Sequence, residues 1–377
     1  MGIRWPRWAL GLLLAVLPAV PARAQYQIIN LGGNLRYSRA TSINNLGQIV
    51  GRGSVFQYNH YFDHAILFDP SGAGLNRDLG TLNGDHSQAA RINNFGDIVG
   101  QSNHNGSFHA AFFDSSGAGG NSLVGPLYPT GCQADGINDA GLVVGTLWDA
   151  GSYAHAVLYD TSGYGNNLDL GGLGGLSSNA FCINNHNQIV GAASTSSSPY
   201  GHAVLFDASG GGANISLGTL GGDASSANFI NDCGQIVGAA ATGGWYTSQA
   251  HATLFDATGG GHNRDLGTLP GGDRSAANGI NNQGKIVGYS SRTTLGTTYA
   301  VLFDETGGKN NIDLNSYLPA NSGWLLHEAT AINDNGWIVG WGLYNGAGSA
   351  FLLKPIPEPL SLLLLAAGGM VLRRRRQ

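Results

Sequence analysis

Seven times along this chain an Ile-Asn pair is followed within a few residues by Gly and then by a short apolar run. The pairs are Ile43-Asn44, Ile92-Asn93, Ile137-Asn138, Ile183-Asn184, Ile230-Asn231, Ile280-Asn281 and Ile332-Asn333. Neighbouring pairs stand 49, 45, 46, 47, 50 and 52 residues apart. That step matches a unit of four short strands, the blade of a β-propeller, rather than a helical hairpin repeat.

Composition agrees with many tight turns and little solvated helix. Only 11% of the 377 residues are charged and 61 are Gly, against roughly a quarter charged and about 7% Gly in ordinary domains. The expected class is all-β.

Each unit carries four strand signals, short β-branched or alternating runs bounded by Gly, Asn or Asp. In the fifth unit they are Ile215–Leu220, Ser225–Asn231, Gln235–Gly238 and His251–Asp256. Asn-Asn-x-Gly or Asn-Asp-x-Gly joins the second run to the third, as in Asn44-Asn45-Leu46-Gly47 and Asn333-Asp334-Asn335-Gly336. Asn caps its own turn and Gly supplies positive φ at the exit, which is hairpin chemistry. In the fourth run, His202-Ala-Val-Leu-Phe206, both alternating sets are largely apolar. A strand buried on both sides suits a sheet stacked between neighbouring sheets.

Seven such units fall within the range of closed propellers, and the first (Ile28 to Asp69) and last (Ile312 to Lys354) carry all four signals rather than polar caps. The expectation is a seven-bladed β-propeller of four-stranded blades over 25–355. An open stack or parallel β-helix is the alternative, since periodicity does not prove closure. Closure by a borrowed first strand would set Tyr26 to Asn30 beside the last repeat. Sequence does not choose between that and contiguous blades.

The two ends carry targeting patterns. Arg4 and Arg7 precede an apolar stretch from Ala9 to Val20 and a small-residue site, Ala22-Arg23-Ala24. That order describes a secretory signal peptide over 1–24, a signal helix cleaved after Ala24. At the other end Pro357-Glu358-Pro359 precedes an apolar run from Leu360 to Leu372, then Arg373, Arg374, Arg375 and Arg376. Thirteen residues of helix rise only about 20 Å, short of a roughly 30 Å hydrocarbon core. The segment 356–377, a short apolar helix with a basic stop, resembles the bacterial PEP-CTERM sorting signal. The resemblance implies export across the inner membrane of a Gram-negative bacterium and recognition of Pro357, Glu358 and Pro359 by an exosortase-type processing enzyme. The chain would then be transiently held in the inner membrane and move to the cell surface or extracellular matrix.

The repeats resemble the HAF repeat family of bacterial extracellular proteins, through His64-Ala65-Ile66, His109-Ala110-Ala111 and their counterparts. The match runs from about Tyr26 to Pro355, with Ser122-Leu-Val-Gly-Pro126, Tyr299 and Ser349 as departures. Membership implies an exported repeat scaffold and no particular reaction.

Between 25 and 355 the chain holds 11 Lys and Arg against 22 Asp and Glu, a net charge near −11. Such a body does not suit nucleic acid. Five histidines recur at one position, His64, His109, His155, His202 and His251. Converging imidazoles bind metal, but a residue repeated in every blade suits a structural hydrogen bonder better. The Gly-rich loops after Asp69 and Asp256 offer one carboxylate each, without Ca²⁺-loop spacing, and read as turns. Cys132, Cys182 and Cys233 sit at different offsets from their Ile-Asn pairs, which argues against a repeated bridge. His327-Glu328 lies off the repeat pattern as an acid–base candidate. No nucleophile elbow, zinc motif, phosphate loop or paired-carboxylate signature appears, so no catalytic residue, metal or cofactor is assigned.

The loops between third and fourth runs vary and carry Phe56, Tyr58, Tyr61 and Phe62, then Trp148 and Tyr153, Trp245 and Tyr246, Trp341 and Tyr344. Equivalent connections emerge at one end of a propeller, where aromatics either stack on sugar rings or act as lids over blade edges. The leading functional expectation is an exported non-catalytic surface or matrix protein binding exopolysaccharide or a cell-surface partner. A polysaccharide-acting hydrolase or lyase is the alternative, favoured if acidic residues converge in a deep central pocket.

Overall fold

The computed structural model describes residues 26–125, 130–161, 166–196, 198, 200–243, 249–293 and 296–356, and Tyr26–Pro355 forms one compact unit. The expected signal peptide with Ala22 and Ala24, the sorting segment with Pro357, Glu358, Pro359 and Arg373 to Arg376, and the two flanking helices lie outside the described residues. Among the described residues no helix is long and apolar enough to cross a membrane.

The protein is all-β, with seven four-stranded antiparallel sheets set in a ring as a β-propeller. The first strand, β1 (Tyr26–Asn30), stands apart from the blade that follows it. Blade 1 is β2 (Ser38–Ile43), β3 (Ile49–Gln57), β4 (His60–Phe68) and β5 (Arg77–Gly80). Blade 2 is β6 (Ser87–Ile92), β7 (Ile98–His104), β8 (Ser107–Phe113) and β9 (Ser122–Leu123). Blade 3 is β10 (Cys132–Ile137), β11 (Val143–Trp148), β12 (Ala154–Leu158) and β13 (Leu168–Asp169). Blade 4 is β14 (Gly174–Ile183), β15 (Ile189–Thr195), β16 (Gly201–Phe206) and β17 (Ile215–Gly218). Blade 5 is β18 (Ser225–Ile230), β19 (Ile236–Ala241), β20 (Ala250–Phe255) and β21 (Arg264–Gly267). Blade 6 is β22 (Ser275–Ile280), β23 (Ile286–Ser291), β24 (Thr298–Phe303) and β25 (Ile312–Asp313). Blade 7 is β26 (Trp324–Ile332), β27 (Ile338–Tyr344) and β28 (Ala347–Pro355), and β1 completes it.

The register of that last pairing runs from Tyr26↔Pro355 to Asn30↔Phe351. The first strand signal of every repeat therefore belongs to the outer edge of the preceding blade. The repeat seen in sequence is one strand out of phase with the blade. This closes the ring with a ladder of backbone hydrogen bonds and leaves no unpaired strand at the seam.

Each apolar core lies between two blades. Val50, Ala65 and Leu79 of blade 1 pack with Ile92, Ile98 and Phe113 of blade 2. The seam is built alike, Val339 and Leu352 meeting Ile43, Ile49, Ile66 and Phe68. Seven such clusters explain why the third strand of a blade is apolar on both sides, with Ala203, Val204 and Phe206 all buried.

The Ile-Val-Gly run owes its Gly to the inner strand. In all seven blades the pairing of first and second strands slips by one residue, as between Ala40 and Ser42 or between Ala134 and Gly136. The slip brings backbone so near that a Cβ at Gly238 would lie 1.9 Å from the oxygen of Ser226. A bulge bends the strand and re-aims the extra side chain. Here the extra residues are Thr41, Ala90, Asp135, Phe181, Asn228, Asn278 and Thr330, and all seven line a cavity at the centre of the ring.

Candidate binding sites on the ring

At one end of the ring the seven Asn-containing turns form a closed circuit. Asn44 accepts from the backbone N–H of Leu46 and Gln48 through Oδ1, which makes the turn. Its Nδ2 donates to the backbone oxygen of Asn93 in the next blade. The same bond runs from Asn93 to Asn138, Asn184, Asn231, Asn281, Asn333 and back to Asn44, at 2.9 to 3.1 Å. A second circuit joins the following residues, each backbone N–H donating to the side-chain Oδ1 of the next: Asn45, Asn94, Asp139, Asn185, Asp232, Asn282, Asp334 and again Asn45. Turn chemistry alone accounts for only half of what these residues do. They clamp each blade to its neighbour.

The recurrent histidines lie on the third strand of their blades, away from the axis, and His64, His155 and His251 bond to acids. His64 Nδ1 lies 2.9 Å from Asp78 and His251 Nδ1 lies 3.0 Å from Asp265, each acid on the outer strand. His155 stands between Asp149 at 3.3 Å and Asp169 at 3.5 Å. Where the imidazole is replaced, so is its bond. Asp313 takes Arg292, whose guanidinium lies over the Tyr299 ring, and Ser349 donates to Asn30 at 2.8 Å. Burial works to raise the Asp265 carboxyl, but the His251 bond and charge, the Gly267 N–H and Lys309 outweigh it and hold it at about 2. His109 has no such acid, its Nδ1 is buried without a partner, and burial, then His104, pushes its imidazole down.

The Gly-rich loops are self-satisfied. The Asp69 carboxylate accepts from the hydroxyl and N–H of Ser71 and from the N–H of Leu75. The Ser71 hydroxyl and N–H lower its pKa in consequence, and the same contacts from Thr258 and His262 hold Asp256 at about 2. The Asn that ends each loop reaches the preceding blade, as Asn76 does to the oxygen of Leu31. All three cysteines are free thiols. Cys132 stands where blades 1, 2, 4, 5 and 6 have Ser and accepts the N–H of Ala110.

His327 and Glu328 are each held elsewhere. Glu328 accepts from Arg39, Asn278 Nδ2 and Trp341 Nε1, all at 2.9 Å. His327 Nδ1 donates to the oxygen of Thr298, and its ring stacks on Trp341.

The second-to-third strand hairpins lie, by strand direction, at the end of the ring opposite the Asn turns. The described members of the aromatic set named from the sequence are spread over several blades rather than gathered. Tyr58 is 88% exposed at the tip of the β3–β4 hairpin, with the Phe56 ring tilted against Tyr61, centroids 5.0 Å apart. Trp148 ends β11 and Tyr153 projects from the turn that follows, 43% exposed. Trp341 is no loop residue: it lies within β27, half-buried and bonded to Glu328. Tyr344, at the end of that strand, packs on Trp324 with centroids 5.0 Å apart. Trp245 and Tyr246 lie outside the described residues. Among the described members of the set, Tyr153 lines a sizeable groove, about 510 Å³, walled by Gly174, Gly175, Leu176, Ser177 and Ser194.

The axial cavity, about 430 Å³, was not singled out by sequence. Besides the bulged residues it is lined by Arg39, Arg52, Gln88, Arg91 and Glu328. Arg39 pairs with Glu328, while Gln133 Nε2 reaches both oxygens of Asp135 at 3.1 Å. Burial pushes Asp135 up to about 7 against the Gln133 bond and the Arg91 charge. The available signal was an acid, Asp135, at an inner-strand position that holds Thr, Ala, Phe or Asn in the other blades.

Set against protein-family models, curated proteins and solved structures, the chain matches none. The assignment of function rests on the residues themselves.

Proposed function

We propose that this protein is an exported, non-catalytic surface or extracellular-matrix scaffold that holds exopolysaccharide or another cell-surface partner on the loop end of its ring. The observation that carries this reading is the groove beside Tyr153. It combines one exposed aromatic ring with a wall of glycine backbone and serine hydroxyls. A polyhydroxylated chain is bound by such a pairing of a flat apolar surface with hydrogen-bonding groups. The rigid ring supports the reading as well, because His64, His251 and the Asp69 carboxylate are taken up by structure. A glycan array probed with the full chain tests it. Tyr153→Ala should weaken binding of a retained polysaccharide about tenfold, the scale of one lost aromatic contact. Unchanged binding would remove the groove from consideration.

Export belongs to the same proposal. The signal segment ending at Ala24 and the Pro357-Glu358-Pro359 segment with its Arg373 to Arg376 stop support it. Mass spectrometry of surface material should find both ends missing, and replacing Pro357-Glu358-Pro359 by Ala should leave precursor in the inner membrane. An intact C-terminus through Gln377 outside that membrane would end the sorting-signal reading.

A polysaccharide hydrolase or lyase centred on the axis is the second reading, favoured by Asp135. A carboxyl titrating at about 7 suits a general acid or base. Release of reducing ends or unsaturated products from a polysaccharide panel, abolished in Asp135→Asn, would establish it. No turnover across the panel would leave the binding scaffold.

A further inference from the structure

Arg91 leaves the inner strand of blade 2 and extends across the channel, where its guanidinium lies 4.7 Å from the ring centroid of Phe229 in blade 5. Phe229 belongs to the wall of the recess under the Asn turns, whereas Arg91 lines the larger axial cavity. The stacked pair thus divides the channel, and Arg91 forms the floor of the larger space. One face of the guanidinium rests on the aromatic ring. Its N–H donors make no hydrogen bond to any described residue, although its charge acts on Asp135 in the same cavity, while Arg39 there is paired with Glu328 at 2.9 Å.

We infer that the axial cavity is a binding site for a small hydroxylated carboxylate of sugar-acid size, whose carboxylate is held by Arg91. A guanidinium presents paired donors matched to a carboxylate, and stacking on an aromatic fixes its plane. The volume, about 430 Å³, falls in the lower range of small-molecule sites. Gln88 supplies an amide for ring hydroxyls, and Phe181 supplies an apolar face. Blade 2 carries only Ala90 at its bulge, which leaves the space above the guanidinium clear. The inference is independent of the loop-end groove, since none of these residues lines it.

Isothermal titration of the full chain at pH 6 with D-glucuronate, D-glucose and inorganic phosphate tests the site. Glucuronate should bind about tenfold or more tightly than glucose, the scale of one charge-assisted pair. Arg91→Gln should remove that preference. Ala90→Leu, which fills the cavity without touching the charge, should abolish binding, and it decides the matter if Arg91→Gln fails to fold. Equal affinity for glucuronate and glucose, no binding of glucuronate, or a preference that survives in Arg91→Gln would overturn the site. Phosphate binding as tight as glucuronate would overturn the sugar-acid assignment.

Discussion

Asn333 donates from its side-chain Nδ2 to the backbone oxygen of Asn44 at 3.0 Å, across 289 residues of sequence. Both residues are buried. This bond is the seam of the ring, and it uses the same atoms as the six bonds between blades that follow one another in the chain.

Replacing Asn333 by Asp keeps the Oδ1 that accepts from Asn335 and Trp337 but turns the donor into an oxygen facing the Asn44 carbonyl. An unsatisfied buried carbonyl costs about 1–3 kcal/mol, and a carboxylate beside it adds repulsion. Urea unfolding of Asn333→Asp should show a midpoint lowered accordingly. An unchanged midpoint would mean that the inter-blade amide contributes nothing at the seam.

The exit residue of each Asn turn has positive φ, +79° at Gly284, with Asn187 at +61° in the one blade that lacks Gly there. Gly284→Val should cost about 1–3 kcal/mol because a β-branched side chain is strained in that region. Thermal melting checks this, and a wild-type melting temperature would contradict the turn geometry.

Asp265 supplies stability with a defined acid limb. Its carboxyl is held at about 2 in the folded protein against an ordinary value of 3.8. The contribution is therefore complete above about pH 4 and lost as pH falls toward 2. The side chain is 29% exposed, and the gain is on the order of 1–2 kcal/mol after screening. Asp265→Asn should unfold more readily at pH 7, with the two proteins converging near pH 2. Curves that stay parallel down to that pH would show the ion pair to be inert.

Asp135 behaves in the opposite sense. Its folded value, raised to about 7, exceeds the 3.8 of the unfolded chain, so the unfolded state releases its proton first. Stability falls as pH rises from about 4 to 7 and levels beyond, by at most about 1.4 kcal/mol per pH unit. Asp135→Asn should flatten that slope in urea titrations run between those limits. A slope unchanged by the substitution would assign it to other groups.

The sequence by itself determined the number of blades, the four strands in each and the turn that joins the first two, because those depend on contacts within a dozen residues. Alternation buries the strands, Asn caps the turn, and Gly opens positive φ. Only the tertiary structure decided which blade owns each outer strand. The link from Gly218 to Ser225 is as short as a hairpin, so sequence spacing fits both a contiguous unit and one displaced by a strand. Closure selected the displaced one, since β1 on β28 replaces two open edges by a hydrogen-bonded ladder. The axial cavity was hidden for a related reason. Arg91, Asp135, Phe181 and Phe229 meet only after a bulge in each inner strand turns one residue inward and the ring brings four blades around one axis.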